Sequence, residues 1–256
     1  MNAKGLHGLH DRYLTQARWT ETLRRLCLDR IKLPIRPQVL EVGSGTGCIT
    51  SWIARELGQP VFGIDIDLPS AQFAARNDPK NGYAQGDGCT LPLPTDTFHL
   101  TFCHFLLLWT AEPGQILSEM KRCTRPSGWV IAFAEPDYGA RIDYPDPLSI
   151  LGDHQSSALE ESGAFPQIGR KIRGLFAAAG LQQVQAGLLG GEWGPSPPDD
   201  LRSEWTVLKT DLAGRLPISQ IDALETIDQQ AWQSQERILF VPTFFALGQK
   251  SREPTV

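Results

Sequence analysis

Apolar positions along the chain switch repeatedly between two periods. Trp19, Leu23, Leu26, Cys27 and Ile31 recur at helical spacing, which predicts a leading helix within residues 11–31. The run from Val39 to Val42 reads as a buried strand. Helical spacing returns at Ile49, Ile53 and Leu57, and Gly58 is placed to stop it. "VFGID" (61–65) predicts a second strand and residues 69–77 a second helix in the series, after which "GYAQGD" (82–87) leads into the Pro-rich turn "LPLPTD". "FHLTFCH" (98–104) predicts a central strand, Ile116, Leu117 and Met120 a helix, and "GWVIAFAEP" (128–136) the next strand. Strand and helix in alternation predict an α/β fold: a mostly parallel sheet with helices on both faces.

Past residue 136 the rhythm changes. Ile168, Ile172, Leu175, Phe176 and Ala179 predict an amphipathic helix ended by Gly180, and "LQQVQAGLL" (181–189) alternates as a strand. Pro195, Pro197 and Pro198 punctuate the chain. Two helical patterns follow, Leu201, Trp205, Leu208 and Leu212, then Ile218, Ile221 and Leu224. The last strand, "FVPTFFALG" (240–248), contains Pro242, which suits an edge or a strand start.

Composition narrows the class. A chain of 256 residues with 41% hydrophobic content can bury the core of one large domain with an elaboration. A net charge of −5 without a dense basic run argues against a nucleic-acid partner. Cys27, Cys48, Cys89, Cys103 and Cys123 form no C-x-x-C pair, which points to reduced thiols and a cytoplasmic location. The amino-terminal "MNAKGLHGLHDRY" lacks the apolar run of a signal peptide, and "FCHFLLLW" is too short to span a bilayer. His7 and His10 fall in a stretch read as flexible, and no metal-ligand spacing accompanies them, so no metal site is expected.

The chemistry centres on "VLEVGSGTGC" (39–48). A glycine-rich turn after a strand lets backbone amides approach a ligand. The dinucleotide pattern G-x-G-x-x-G would need a third glycine where Cys48 stands, and no Gly-Lys-Ser/Thr follows for a phosphate loop. An acid at the end of the second strand, Asp65, suits vicinal ribose hydroxyls. Asp87 in "GDG" can accept from an adenine amine while the amide of Gly88 or Cys89 donates to the ring. The set describes an adenosine site without a phosphate site.

Taken in order, "VLEVGSGTG", "GIDID", "GDGCTLPLPTDTFHLTF" and "EMKRCTRPSGWVIAFAEPD" resemble the class I S-adenosylmethionine-dependent methyltransferases, in their small-molecule, ubiquinone/menaquinone-biosynthesis-like (type 11) branch. The resemblance covers residues 35–137. "TRPSG" (124–128) stands where the family has LRPGG, and His99 where it often has Asp. It implies a Rossmann-like sheet, mostly parallel with an antiparallel last strand, and S-adenosylmethionine as cofactor. Carried over by motif, Gly43, Ser44 and Gly45 lie against the methionine moiety and Asp65 holds the ribose. Ile66 packs on adenine, Asp87, Gly88 and Cys89 hold its edge, and His104 faces the cofactor. Tyr13 and Arg18 on the leading helix are expected to fold over the methionine end.

The implied reaction is in-line transfer of a methyl group to a small organic acceptor. A general base is needed only where the attacking atom must lose a proton. His104, Glu135, Asp137 and Tyr138 are the candidates. Nucleic-acid methylation is disfavoured, because "CHFLLLW" replaces the Asn/Asp-Pro-Pro-Tyr/Phe motif and no Pro-Cys dipeptide occurs. A nicotinamide-dependent oxidoreductase and a non-catalytic cofactor-binding protein are the rival classes. The expected organisation is a helical segment (1–34), a cofactor-binding domain (35–190 and 237–250) and a helical lid (191–236) over an apolar acceptor pocket, hinged at "GPSPPDD" (194–200). Either a monomer or a homodimer is compatible with this.

Overall fold

The computed structural model describes residues 3–194 and 201–252. The hinge expected at "GPSPPDD" therefore lies, from residue 195 onward, outside the described residues. In chain order the first part runs α1 (Ala3–Trp19), α2 (Glu21–Asp29), β1 (Val39–Val42), α3 (Cys48–Leu57), β2 (Phe62–Asp65), α4 (Leu68–Asn77), β3 (Gly82–Gln85), β4 (Phe98–Cys103), α5 (Pro113–Cys123) and β5 (Thr124–Pro136). The second part adds β6 (Ile142–Tyr144), α6 (Ile150–Glu161), α7 (Ile172–Ala178), β7 (Gln182–Leu188), α8 (Leu201–Leu212), α9 (Ile218–Gln233), β8 (Ile238–Phe240) and β9 (Thr243–Gln249).

One seven-stranded sheet carries the order β3-β2-β1-β4-β5-β9-β7. β1 to β5 pair in parallel. β9 runs antiparallel between β5 and β7, so the antiparallel last strand is internal to the sheet. Helices cover both faces: Ile116, Leu117, Ile172 and Phe176 (α5, α7) fill one core, and Leu23, Cys27, Ile49 and Ile53 (α2, α3) the other. The order reverses between β1 and β4, which makes the carboxyl end of β1 the topological switch point where such sheets bind ligands.

Local chemistry sets the ends of the nearby elements. Gly58, at φ 61°, ends α3 in a left-handed cap. The Asp67 carboxylate caps α4 by accepting from the Ser70 amide at 3.0 Å.

Several sequence expectations change. The leading helix is two helices broken at Thr20, whose backbone leaves the helical region (φ −108°, ψ 8°) and whose hydroxyl is held by tertiary partners. The helix expected from Ile168 begins as a 3₁₀ turn over Gly169–Lys171 and becomes α-helical at Ile172. Pro242 immediately precedes β9, so residues 238–240 form a separate strand that pairs with β6 in a second, two-stranded sheet. His7 and His10 lie within α1, their rings 5.1 and 5.2 Å from that of Phe73, not in a flexible terminus. Ile218 is 78% exposed, and α9 instead buries Ile221, Leu224, Asp228, Ala231 and Trp232.

Candidate functional site

The turn after β1 adopts a backbone that only glycine takes readily. Gly43, Gly45 and Gly47 have φ of 77°, 50° and 83°. A Cβ at Gly43 would sit 2.7 Å from Leu106 Cδ1, and one at Gly47 2.6 Å from Tyr83 Oη. The Asp65 carboxylate reaches into this turn: Oδ2 accepts from the Gly45 amide at 2.6 Å and Oδ1 from the Asp67 amide at 2.9 Å. Burial raises its pKa, against the pull of those two amides. Ser44 Oγ is buried with no hydrogen-bond partner among the described residues. This hydroxyl faces Gly63 of β2, where a Cβ would lie 2.9 Å from it, so the polar groups of the cradle formed by this turn are those of the glycine backbone.

The other expected contacts surround this cradle. Ile66 is 69% exposed, an apolar surface following the Asp65 carboxylate. Asp87 Oδ1 accepts from the Cys89 amide at 2.8 Å, which closes the "GDGC" turn, and the Cys89 carbonyl accepts from Gln115 Nε2 at 3.1 Å. Tyr13 lies over Gly45, 3.2 Å from where its Cβ would be. One turn earlier, His10 Nδ1 lies 3.0 Å from Thr46 Oγ1 and 3.3 Å from Cys48 Sγ. Arg18 is exposed and absent from the cavity described next.

On the other side of the α1–α2 junction lies a cavity of about 690 Å³. Gln16, Trp19 and Thr20 form one wall, Phe105 and Tyr138 a second, and Trp193, Trp232 and Phe240 a third. Phe105 and Leu106 join the two regions, the first lining the cavity and the second packed on Gly43.

Of the four candidate bases, the structure brings only Tyr138 to the cavity. Glu135 is fully buried, and its carboxylate accepts from the amides of Leu106, Leu107 and Leu108 at 3.0, 3.1 and 3.2 Å. It fixes the turn after β4, and burial pushes its pKa up to about 7 against those amides. Its carboxylate is engaged with the backbone and does not line the cavity. Asp137 is buried in a two-bond pair with Arg170 at 2.5 and 2.7 Å. His104 is 9% exposed, bonded through Nε2 to Thr20 Oγ1 at 2.8 Å, and held at a pKa of about 3 by burial and then by the Arg24 guanidinium. A ring that stays neutral to that depth is a poor proton acceptor.

Two buried clusters escaped the sequence reading. Arg24, fully buried, donates to Thr20 Oγ1 at 2.6 Å and stacks over Trp52 at 4.3 Å. Its position in the stripe Thr20, Leu23, Arg24, Cys27 was the available signal: a charge inside an apolar helix face. The second is an ion network under the cavity. Arg141 pairs with Asp143 at 2.5 Å, Arg237 with Asp143 at 2.7 Å and with Asp228 at 2.5 Å, and Trp205 Nε1 donates to Asp228 at 2.9 Å. It ties the segment after β5 to α8 and α9. Nothing in the local sequence links residues so far apart.

All five cysteines are free. Among the described residues, no group of three His, Cys, Asp or Glu is placed to hold a metal, and no helix is long and apolar enough to cross a membrane.

A parallel sheet with a glycine turn, an acid after β2 and a polar cradle at its switch point defines a Rossmann-like, nucleotide-cofactor domain. Residues 40–132 match a family model described as a methyltransferase domain. The chain is 30% identical over 122 residues to a demethylmenaquinone methyltransferase of Renibacterium salmoninarum, covering 47% of this chain and 51% of that protein. It is 30% identical over 173 residues to a malonyl-[acyl-carrier protein] O-methyltransferase of Erwinia pyrifoliae, covering 65% and 58%. A solved structure of phosphoethanolamine N-methyltransferase 2 from Haemonchus contortus, in complex with phosphomonomethylethanolamine and S-adenosylhomocysteine, superposes with a TM-score of 0.60 at 14% identity, covering 94% of this chain and 58% of that one. The chain thus spans little more than half the length of these two curated relatives. The match to a methyltransferase domain over residues 40–132 and the superposition on the Haemonchus contortus structure agree on a Rossmann-like fold of the methyltransferase kind.

Proposed function

We propose that the protein transfers the methyl group of S-adenosylmethionine to a small organic acceptor seated in the cavity beside α1. The observation that carries this reading is the pairing of two separate sites: the glycine cradle with Asp65, and the aromatic-walled cavity reached through Phe105 and Leu106. In this reading Gly43, Ser44 and Gly45 hold the amino-acid moiety, with Tyr13 covering them. Asp65 holds the ribose hydroxyls, Ile66 the adenine face, and Asp87 with the Gly88 and Cys89 amides the adenine edge. When bound, the cofactor supplies an electrophilic methyl group on a sulfonium.

The chain's own residues then have two tasks. The walls from Trp19, Phe105, Trp193, Trp232 and Phe240 exclude water and select an acceptor with an apolar, ring-sized body, and alignment of the nucleophile contributes up to about 7–11 kcal/mol. Tyr138 is the candidate that can orient the reacting group or take its proton, since it alone of the four lines the cavity. Helices α8 and α9, within the segment 191–236, act as the lid. A net charge of −5 suits a small-molecule acceptor and no nucleic acid, and free thiols suit the cytoplasm. The test is to incubate the purified protein with methyl-labelled S-adenosylmethionine and a small-molecule cell extract. Label should appear in an extractable small product, with chelator and reductant making no difference. No transfer, or transfer only into nucleic acid, would overturn the reading.

A further inference from the structure

His104 follows the last residue of β4, and three neighbours decide its chemistry. Phe105 meets its ring at a T-shaped angle with centroids 4.4 Å apart. Its Nε2 is 2.8 Å from Thr20 Oγ1, and the same oxygen accepts from Arg24 Nη1 at 2.6 Å. Arg24 is anchored independently, by its bond to the Ala17 carbonyl at 2.8 Å and its stacking on Trp52.

A guanidinium only donates, so Thr20 Oγ1 must accept from it. The single hydroxyl proton then has three possible acceptors. Nε2 at 2.8 Å is much closer than the Ala17 and Gln16 carbonyls at 3.3 and 3.4 Å, and the Ala17 carbonyl already receives Arg24. Electrostatics point the same way, because a cation on this side of the ring favours a lone pair facing it over an N–H. Nε2 is therefore the acceptor, and the ring proton of the neutral imidazole sits on Nδ1. Nδ1 makes no hydrogen bond to any described residue. His104 does not itself line the cavity, but the chain just beyond it does so at Phe105 and packs on Gly43 at Leu106.

We propose that Arg24, acting through Thr20, locks His104 in the Nδ1–H tautomer, making it a fixed hydrogen-bond donor beside the junction of the two sites and not a proton acceptor. Thr20 and Arg24 are positioning residues in this arrangement. The use of that donor in the reaction rests on the function proposed above; the tautomer does not.

The experiment is a two-bond 1H–15N correlation spectrum of the full chain labelled with 15N-histidine, recorded between pH 5 and 8 without ligand. His104→Gln assigns the signal. The expected pattern has Nδ1 protonated, Nε2 unprotonated, and no titration across this range. Thr20→Ser should keep the pattern, and Thr20→Val should abolish the preference. Nε2 protonated in the parent protein overturns the proposal without recourse to any variant, as does an unchanged tautomer in folded Thr20→Val. The donor role is read from kcat with the acceptor found by the labelled-methyl assay. His104→Asn, whose amide nitrogen takes the place of Nδ1, should retain most of kcat. His104→Gln, which keeps the Thr20 contact and loses that donor, should fall about 10- to 100-fold. Equal losses in both variants would refute the donor role, whereas absence of methyl transfer in the parent protein would refute the methyltransferase reading and leave the tautomer result standing.

Discussion

At the scale of single residues, the site is built from groups whose protons are displaced from their usual behaviour by burial. Glu41 is 1% exposed and hydrogen-bonded by the Thr50 hydroxyl. Burial pushes its carboxyl up to about 8, from 4.5. The folded state therefore keeps a proton that the unfolded chain releases, so this contribution is complete below about pH 4.5 and is lost as pH rises through about 8. His104 has the opposite sign. Its folded pKa is depressed from 6.5 to about 3, so its contribution is present above pH 6.5 and is lost as pH falls toward 3. Urea unfolding across pH should show Glu41→Gln flattening the loss between pH 5 and 8, and His104→Gln flattening the loss between pH 6 and 4. A parent-like slope in either variant would mean that the group does not titrate as its burial requires.

At the scale of elements, α8 and α9 have a core and a set of charges of their own. Trp205, Leu208 and Leu212 on α8 and Ile221 and Leu224 on α9 pack with Leu148 and Leu151. Below them, Asp143, Asp228, Arg141 and Arg237 satisfy one another with side chains no more than 3% exposed. Removing one member leaves a buried charge without its partner, so Asp228→Ala should cost roughly 3–5 kcal/mol in urea unfolding. Leu212→Ala, at a fully buried position, should cost roughly 2–5 kcal/mol. A loss under 1 kcal/mol in Asp228→Ala would show that the network holds nothing together.

The contrast with what was legible beforehand follows from range. β1, α3, β2 and α4 announce themselves through short apolar runs, period changes and caps such as Gly58, all local. α6 buries little beyond Leu151, Gly152 and Gln155, so its sequence has no apolar stripe to find. β6 and β8 are three residues each and exist because they pair with one another. The cofactor candidates were readable because each is marked locally, the glycines by their turn and the acids by the strand end and turn in which they stand. The Arg24–Thr20–His104 relay joins residues 84 apart, and only the folded chain brings them together.

At the scale of the molecule, α1 touches both the glycine turn and the cavity. Tyr13 lies on the glycine turn, and Gln16 and Thr20 line the cavity. Changes to the cavity wall from α8 and α9 should therefore alter acceptor use and spare the cofactor. Trp232→Ala, in the cavity wall, should raise KM for the acceptor or change its identity while cofactor affinity stays within about twofold, a difference below 0.5 kcal/mol. Parent-like acceptor kinetics in the folded variant would place the acceptor elsewhere.

The central claim is that the turn after β1 and Asp65 hold an adenosine-bearing cofactor without a pyrophosphate. Calorimetric titration with S-adenosylhomocysteine and, separately, with NAD tests it most directly. The account predicts one site for S-adenosylhomocysteine, no binding of NAD, and an affinity reduced about 10- to 100-fold in folded Asp65→Ala, the worth of a charge-assisted hydrogen bond. Binding of NAD that depends on Asp65, or S-adenosylhomocysteine affinity unchanged by Asp65→Ala, would contradict it.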